Sequence, residues 1–287
     1  MKRINLLLLG FLVILVVSCQ KEIDWGTDAG GPGGGGGGTG NQLVKTVSKS
    51  GTDSVVTVYS YNSAGKIMNI KITGKQAGVD VGNEERIYRD AAGVVIRKTQ
   101  INNMLVAAGI DSTVTTVYSS ASPARYSAKV FKLSLLGLDM MDSTVLIYDA
   151  AGKVTEEHDY QALPLLGQPY ELMLKIKYTY TGGLLTKMDQ YDYDASTSTE
   201  DLAISTKYTF DARPAALQLD NDAYAISHPD LTSVNNAIKM DISSPSTPAV
   251  DRIFTLVYTY GPNNKPATAV HTETPAGTVS NIKFYYQ

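Results

Sequence analysis

From residue 43 onward, apolar and polar residues alternate in short runs broken by small polar turns. In "ELMLKIKYTY", residues 171–180, Leu172, Leu174, Ile176, Tyr178 and Tyr180 share one face. Glu171, Lys175, Lys177 and Thr179 share the other, with Met173 the exception on that polar face. A period of two is the side-chain period of a β-strand, so the pattern predicts a strand with one buried face. "RIFTLVYTY", residues 252–260, repeats it with Phe254, Leu256, Tyr258 and Tyr260 inward.

The runs are separated by "YNSAGK", "RDAAGV" and "YDAAGK". In each, an Asn or Asp can hydrogen-bond the backbone ahead, and Gly65, Gly93 or Gly152 takes the positive φ that closes a short hairpin. Another alternating run follows, such as "KIMNIKI". Aligning the aromatic beside each turn (Tyr61, Tyr88, Tyr118, Tyr148, Tyr180, Phe210 and Tyr260) gives steps of 27, 30, 30, 32, 30 and 50 residues. A sustained step is the mark of a repeated supersecondary unit, here a β-hairpin, and the last step contains an insertion. The series predicts an all-β fold, a large antiparallel meander of about 14 to 17 strands, curled or barrel-like because twist prevents so wide a sheet from staying flat. No long helix is evident after residue 18. Residues 227–250, with three prolines, break the rhythm and predict an irregular excursion with room for one helical turn.

The N-terminus has the parts of a secretory signal: Lys2 and Arg3, an apolar run from Leu6 to Val17, and Ser18 before Cys19. That run is shorter than the roughly 20 residues a membrane-spanning helix needs. "VVSC", residues 16–19, resembles the bacterial lipobox, and Cys19 is the only cysteine in the chain. The resemblance implies cleavage before Cys19 and acylation of its thiol and new N-terminus. Several acyl chains at about 0.8 kcal/mol per buried methylene make a lasting anchor. Nine of the eleven residues from Gly30 to Gly40 are glycine, which makes the stretch a flexible spacer reaching about 20 to 30 Å. Three segments are therefore expected: residues 1–18 as signal peptide, 19–42 as a lipidated disordered tether, and 43–287 as the hairpin domain. "CQKEID", residues 19–24, resembles the export signature of surface lipoproteins of the Bacteroidota.

Removing residues 1–18 takes away Lys2 and Arg3 but no acid, so the formal charge of −3 becomes −5. An acidic chain without basic runs lacks the electrostatic footprint of a nucleic-acid binder, and that class is excluded. The 43% hydrophobic content supplies a real core, and tyrosine outnumbers phenylalanine 18 to 5, which suits strands with half-wet faces.

Candidate chemistry is sparse. His158, His228 and His271 fall in different units without zinc-ligand spacing. Asp189, Asp192, Asp194, Glu200 and Asp201 could clasp calcium, but the stretch lacks the glycine and terminal glutamate of an EF-hand and reads equally as a polar hairpin end. The tyrosines could stack sugars, yet their repeat spacing favours core packing. No catalytic, cofactor or metal residue is assigned, and lipidation at Cys19 is the one site expected.

The phrase Y-x-Y-[DN]-x-x-G resembles the tyrosine-aspartate repeats of rearrangement-hotspot and teneurin shells. The lipobox, the glycine tether, the ordered hairpins and the tail "FDARPAALQLDN…YTYGPNNKPATAV" together resemble Bacteroidota lipoproteins of a family with a porin-like β fold and no established activity. The likeness spans about residues 43 to 287. It departs after Phe210 and Tyr260, where Pro214 and Pro266 stand and the turn glycine is missing. It implies a fold and transfers no catalytic residue. The expectation is a non-enzymatic interaction or ligand-binding module, anchored in the outer membrane through acylated Cys19 and facing the cell surface, with a glycan or protein as ligand. The periplasmic face is the alternative location; a structural envelope component or a hydrolase of extracellular polymer are the alternative roles. Charges on alternate strand positions (Lys71, Glu156, Lys175, Lys177) predict a domain outside the lipid, since a spanning barrel would turn them toward acyl chains or need a wide wet lumen to hold them.

Overall fold

The computed structural model describes residues 41–287 apart from 108, 111, 122–123, 136–137 and 164–167. The described residues form sixteen strands. They are β1 (Leu43–Ser50), β2 (Asp53–Tyr61), β3 (Ile67–Gln76), β4 (Val79–Arg89), β5 (Val95–Asn102), β6 (Thr113–Ala121), β7 (Ala124–Leu135) and β8 (Leu138–Tyr148). The second half comprises β9 (Val154–Leu163), β10 (Gln168–Thr181), β11 (Leu184–Asp194), β12 (Thr199–Pro214), β13 (Asn235–Ser243), β14 (Arg252–Tyr260), β15 (Pro266–Thr274) and β16 (Thr278–Tyr286). Each strand pairs antiparallel with its sequence neighbours, and β1 pairs with β16 to close a barrel. Closure is the route this meander takes to remove its edges. Among the described residues the helices are short: Asn103–Ala107, Asp222–Ala225, and 3-10 turns at Pro229–Thr232 and Pro248–Val250.

The tight turns follow one plan. Asn62, Asp90 and Asp149 each accept the amide of the glycine three residues on (Gly65, Gly93, Gly152), and their side-chain oxygens take the amides of Lys66, Val94 and Lys153. The three glycines hold φ of +74°, +82° and +81°. In the turn after β14, Asn264 takes the left-handed place at +62°, which explains the missing glycine there. Each tight hairpin also bulges just before its turn, so the first or second residue of the returning strand swings inward. Ile67, Val95, Val154 and Leu185 occupy that position and are buried. A bulge takes backbone groups out of the ladder. The inward side chain ahead of the next turn reaches them: Tyr148 donates to Tyr126 O at 2.7 Å, Tyr180 to Val154 O at 2.8 Å, and Tyr61 to Leu43 O.

In β10, Leu174, Ile176, Tyr178 and Tyr180 point into the barrel and Lys175 and Lys177 point out, as the alternation predicts; a bulge between Leu172 and Leu174 interrupts the run. Tyr88 and Tyr118 depart from the aligned series. Arg89 takes the inward place ahead of the β4–β5 turn, and Tyr88 faces outward under the guanidinium of Arg97 at 4.0 Å. Tyr118 is also outward and half exposed. The excursion lies earlier than expected, at residues 215–234. Residues 235–243 form β13, whose Met240 and Ile242 point in and Lys239 and Asp241 point out; the flanking prolines had masked this alternation.

Gly93 and Gly152 have open space where a Cβ would sit, so alanine there meets only the disfavoured φ and should lower stability by about 1 kcal/mol. Gly74 differs: a Cβ would lie 2.0 Å from the backbone oxygen of Ser54 across the strand pair. Gly74→Ala should cost about 2 to 4 kcal/mol, seen as a clearly lower thermal midpoint than that of Gly93→Ala. Equal midpoints would show that the β2–β3 pairing gives way more easily than its geometry implies.

Candidate functional site

Eight strands close around a space that side chains can fill, whereas sixteen leave room for a water channel. Here the chain itself enters that room. Residues 215–234 leave the end of β12, fold inward and return to β13. Leu219, Ala223, Tyr224, Ala225 and Ile226 are buried in one cluster with wall residues of β3, β4, β6, β7, β8 and β10. This plug occupies the rim of the tight turns, where Gln42 and Gln287 also pair.

Charged wall residues grip it. Arg89 on β4 donates to Asp222 Oδ2 at 2.7 Å and also to the carbonyls of Ile67 and Gly93. The Tyr126 hydroxyl donates to Asp222 Oδ1 at 2.6 Å. Lys98 on β5 donates to Ile226 O at 2.8 Å, and Lys129 on β7 to Tyr224 O at 3.1 Å. These cations have carboxylate partners in the wall: Glu85 lies 3.7 Å from Lys98, and Glu157 3.0 Å from Lys129. Burial acts to raise the Glu85 carboxyl, but Lys98 and His228 outweigh it and hold the group at about 2. Burial drives the Tyr178 phenol well above its ordinary value, so it remains a donor to Glu157 Oε1 at 2.9 Å. Its ring meets Tyr224 of the plug edge-on at 5.4 Å.

Beyond the plug the inward face is acidic. Asp142, Asp159, Asp192 and Asp201 lie on β8, β9, β11 and β12, all on the lumen side. Burial, then the charge of Glu157, raises Asp159 to about 6. Burial also raises Asp142 and Asp192, the latter with help from Asp201.

The residues weighed from sequence are dispersed. His158 faces out and pairs with Glu156 at 2.8 Å; His228 sits in the plug 3.1 Å from Glu85. His271 lies inside, stacked on Phe254 and 3.2 Å from Ser280 Oγ, with burial lowering its pKa. The acidic stretch splits between faces: Asp192 and Asp201 point in, Asp189 points out to Lys187 at 2.6 Å, and Glu200 lies between Lys175 and Lys177. Asp194 caps its own turn through Ser196. Tyr191 and Tyr193 lie beneath the ammonium groups of Lys177 and Lys175, so their faces are not free for a sugar ring. Cys19 and the tether up to residue 40 lie outside the described residues.

Sequence reasoning missed Arg89, Lys98, Lys129, Glu85 and Glu157, which do the gripping. The available signal was charge on the inward parity of an alternating run, with Arg89 standing where its sister hairpins place tyrosine.

No protein-family model and no curated protein matches the chain. Solved structures do. A porin-like protein from Bacteroides uniformis ATCC 8492 superposes with a TM-score of 0.50 at 11% identity, covering 86% of this chain and 98% of its own. One from Bacteroides vulgatus ATCC 8482 gives 0.50 and 11%, covering 86% and 99%. The chain has their fold. At this identity the likeness concerns architecture alone.

Asp159 offers a pH test. Its folded pKa lies above its unfolded one, so the fold bears a charge-burial penalty that grows as pH rises from about 4 to 6 and is complete above that. Asp159→Asn removes it. The variant should be more stable than the parent by about 1 to 3 kcal/mol at pH 8 and near parity at pH 4, read from paired denaturation curves. A gain independent of pH would show that Asp159 is not the group in question.

Proposed function

We propose that this chain is an acyl-anchored envelope lipoprotein of the outer membrane, displayed at the cell surface as a non-enzymatic module that binds a glycan or protein. The observation that carries the reading is the outward face of the wall. Lys71 stands opposite Glu84, Arg97 covers Tyr88, and Lys175 and Lys177 clasp Glu200 at 2.7 and 2.5 Å. A lipid-facing Lys or Arg costs about 2 to 4 kcal/mol at the bilayer midplane, and these charges stand on β3, β4, β5, β10 and β12. Such a barrel belongs in water and needs another means of staying at a membrane, which acylated Cys19 supplies. The plugged lumen argues against steady diffusion through it, and the fold shared with porin-like proteins supports an envelope setting.

Radiolabelled palmitate should enter the full chain, which should fractionate with the outer membrane; Cys19→Ser should abolish both label and retention. Protease added to intact cells should remove the full-length band while a periplasmic control survives, and complete protection would move the protein to the periplasmic face. Residues 43–287 produced without the signal should be soluble without detergent and give no conductance steps in planar bilayers. Solubility only in detergent would make it a spanning barrel and overturn the reading.

A further inference from the structure

We infer that residues 215–234 are a displaceable gate, a plug latched by Arg89 and Asp222 that leaves the lumen as one body while the barrel wall stays folded. The inference rests on the geometry of plug and wall and is independent of the anchor.

The first observation is that wall groups holding the plug keep a second partner in the wall. Lys98 retains Glu85, and Lys129 retains Glu157. Tyr126 Oη also accepts the amide of Val95 at 3.1 Å, and Tyr180 retains Val154 O. Arg89 retains the carbonyls of Ile67 and Gly93. Stripping one partner from a buried ion pair ordinarily strands a charge and brings the structure down with it. This wall would not be stranded. Arg89 is the exception in charge: its salt bridge runs to the plug, which makes the Arg89–Asp222 pair the latch.

The second observation is that the plug is bonded mainly to itself. Leu219 N donates to Leu231 O at 2.9 Å, Ile226 N to Asp222 O at 3.0 Å, His228 N to Ala223 O at 2.7 Å, and Leu231 N to His228 O at 3.0 Å. Its neck is separately clasped. Ala215 N donates to Val234 O at 2.8 Å, Asn236 Nδ2 to Pro214 O at 3.0 Å, and Lys265 Nζ to Ala215 O at 2.7 Å. A self-bonded body on a fixed neck has a pivot. The third observation is backbone strain: Asp220 and Ser227, on either side of the helical turn, hold φ of 48° and 65° although neither is glycine. Such conformations persist where the surroundings impose them, and they gather at switch segments.

Release would open the lumen of a sixteen-strand ring, a width that admits water. The test is amide hydrogen exchange on the full chain, resolved by segment. Amides within 219–231, once the plug stands in water, should exchange through an opening that leaves β3, β4, β9 and β10 protected, and their rates should rise with low denaturant less steeply than those of the strands. Asp222→Asn removes the charge of the latch and should speed exchange of the plug by about tenfold or more, with plug amides still exchanging ahead of the strands. Asp220→Asn, an exposed change in the plug at a carboxylate not paired with Arg89, should leave the rates alone. Plug amides exchanging in step with the strands would overturn the inference. Plug rates left unchanged by Asp222→Asn would overturn it too, since the pair would then not be what holds the plug.

Discussion

The width of a sixteen-strand ring is the constraint from which the rest follows. Side chains from a wall of that size cannot meet across the middle, and an unfilled middle leaves the inner face wet. The chain answers by spending twenty residues between β12 and β13 on filling one end, and the wall then has to hold that insert. A backbone brought inside a barrel carries carbonyls that need donors. Lys98 and Lys129 supply them, and burying two ammonium groups in turn calls for Glu85 and Glu157 close by. The buried charges are thus consequences of the fill. They favour one placement of the plug over sliding alternatives more than they add net stability, which is the usual balance for buried ion pairs.

The same alternation that turns tyrosines inward turns lysines outward, and this decides which surface can meet lipid. In a spanning barrel the apolar parity faces out; here Leu174, Ile176 and Tyr178 face in while Lys175 and Lys177 face out. Scattered outward valines, such as Val257 and Val270 on β14 and β15, interrupt the charge without forming a band around the ring. The molecule shares a barrel with porin-like proteins and distributes its polarity in the opposite sense from a lipid-embedded wall.

How much of this was legible beforehand depends on the sequence distance over which each feature is decided. The hairpins are local: Asn62 to Lys66, or Asp149 to Lys153, contain both the turn and the reason for it, so the glycine positions and strand alternation could be read directly. Closure stayed open between a curled sheet and a barrel because nothing short of the β1–β16 pairing selects one over the other. The plug was misplaced by about a dozen residues, since "AALQLDND" between Pro214 and Tyr224 reads as one more returning run until its inward course is known. The gripping residues were hidden for the strongest reason. Arg89 meets Asp222 133 residues away, and Lys98 meets Ile226 128 away, so neither partner marks the other in the sequence. Only the substitution of arginine for the repeating tyrosine left a trace.

Direction along the barrel axis joins these strands of argument. The tight turns after β2, β4 and β8, the plug, and both ends of the described chain lie at one rim; the connections after β1, β3, β11 and β15 lie at the other. Gln42 donates to Gly65 O at that first rim, so the described chain enters the barrel on its plugged side. The acid-lined half, with Asp142, Asp159 and Asp192, lies toward the other end of the axis. The repeat that makes the hairpins makes this polarity too, because an even number of strands returns the chain to the rim where it began, and so keeps both ends of the described chain beside the plug.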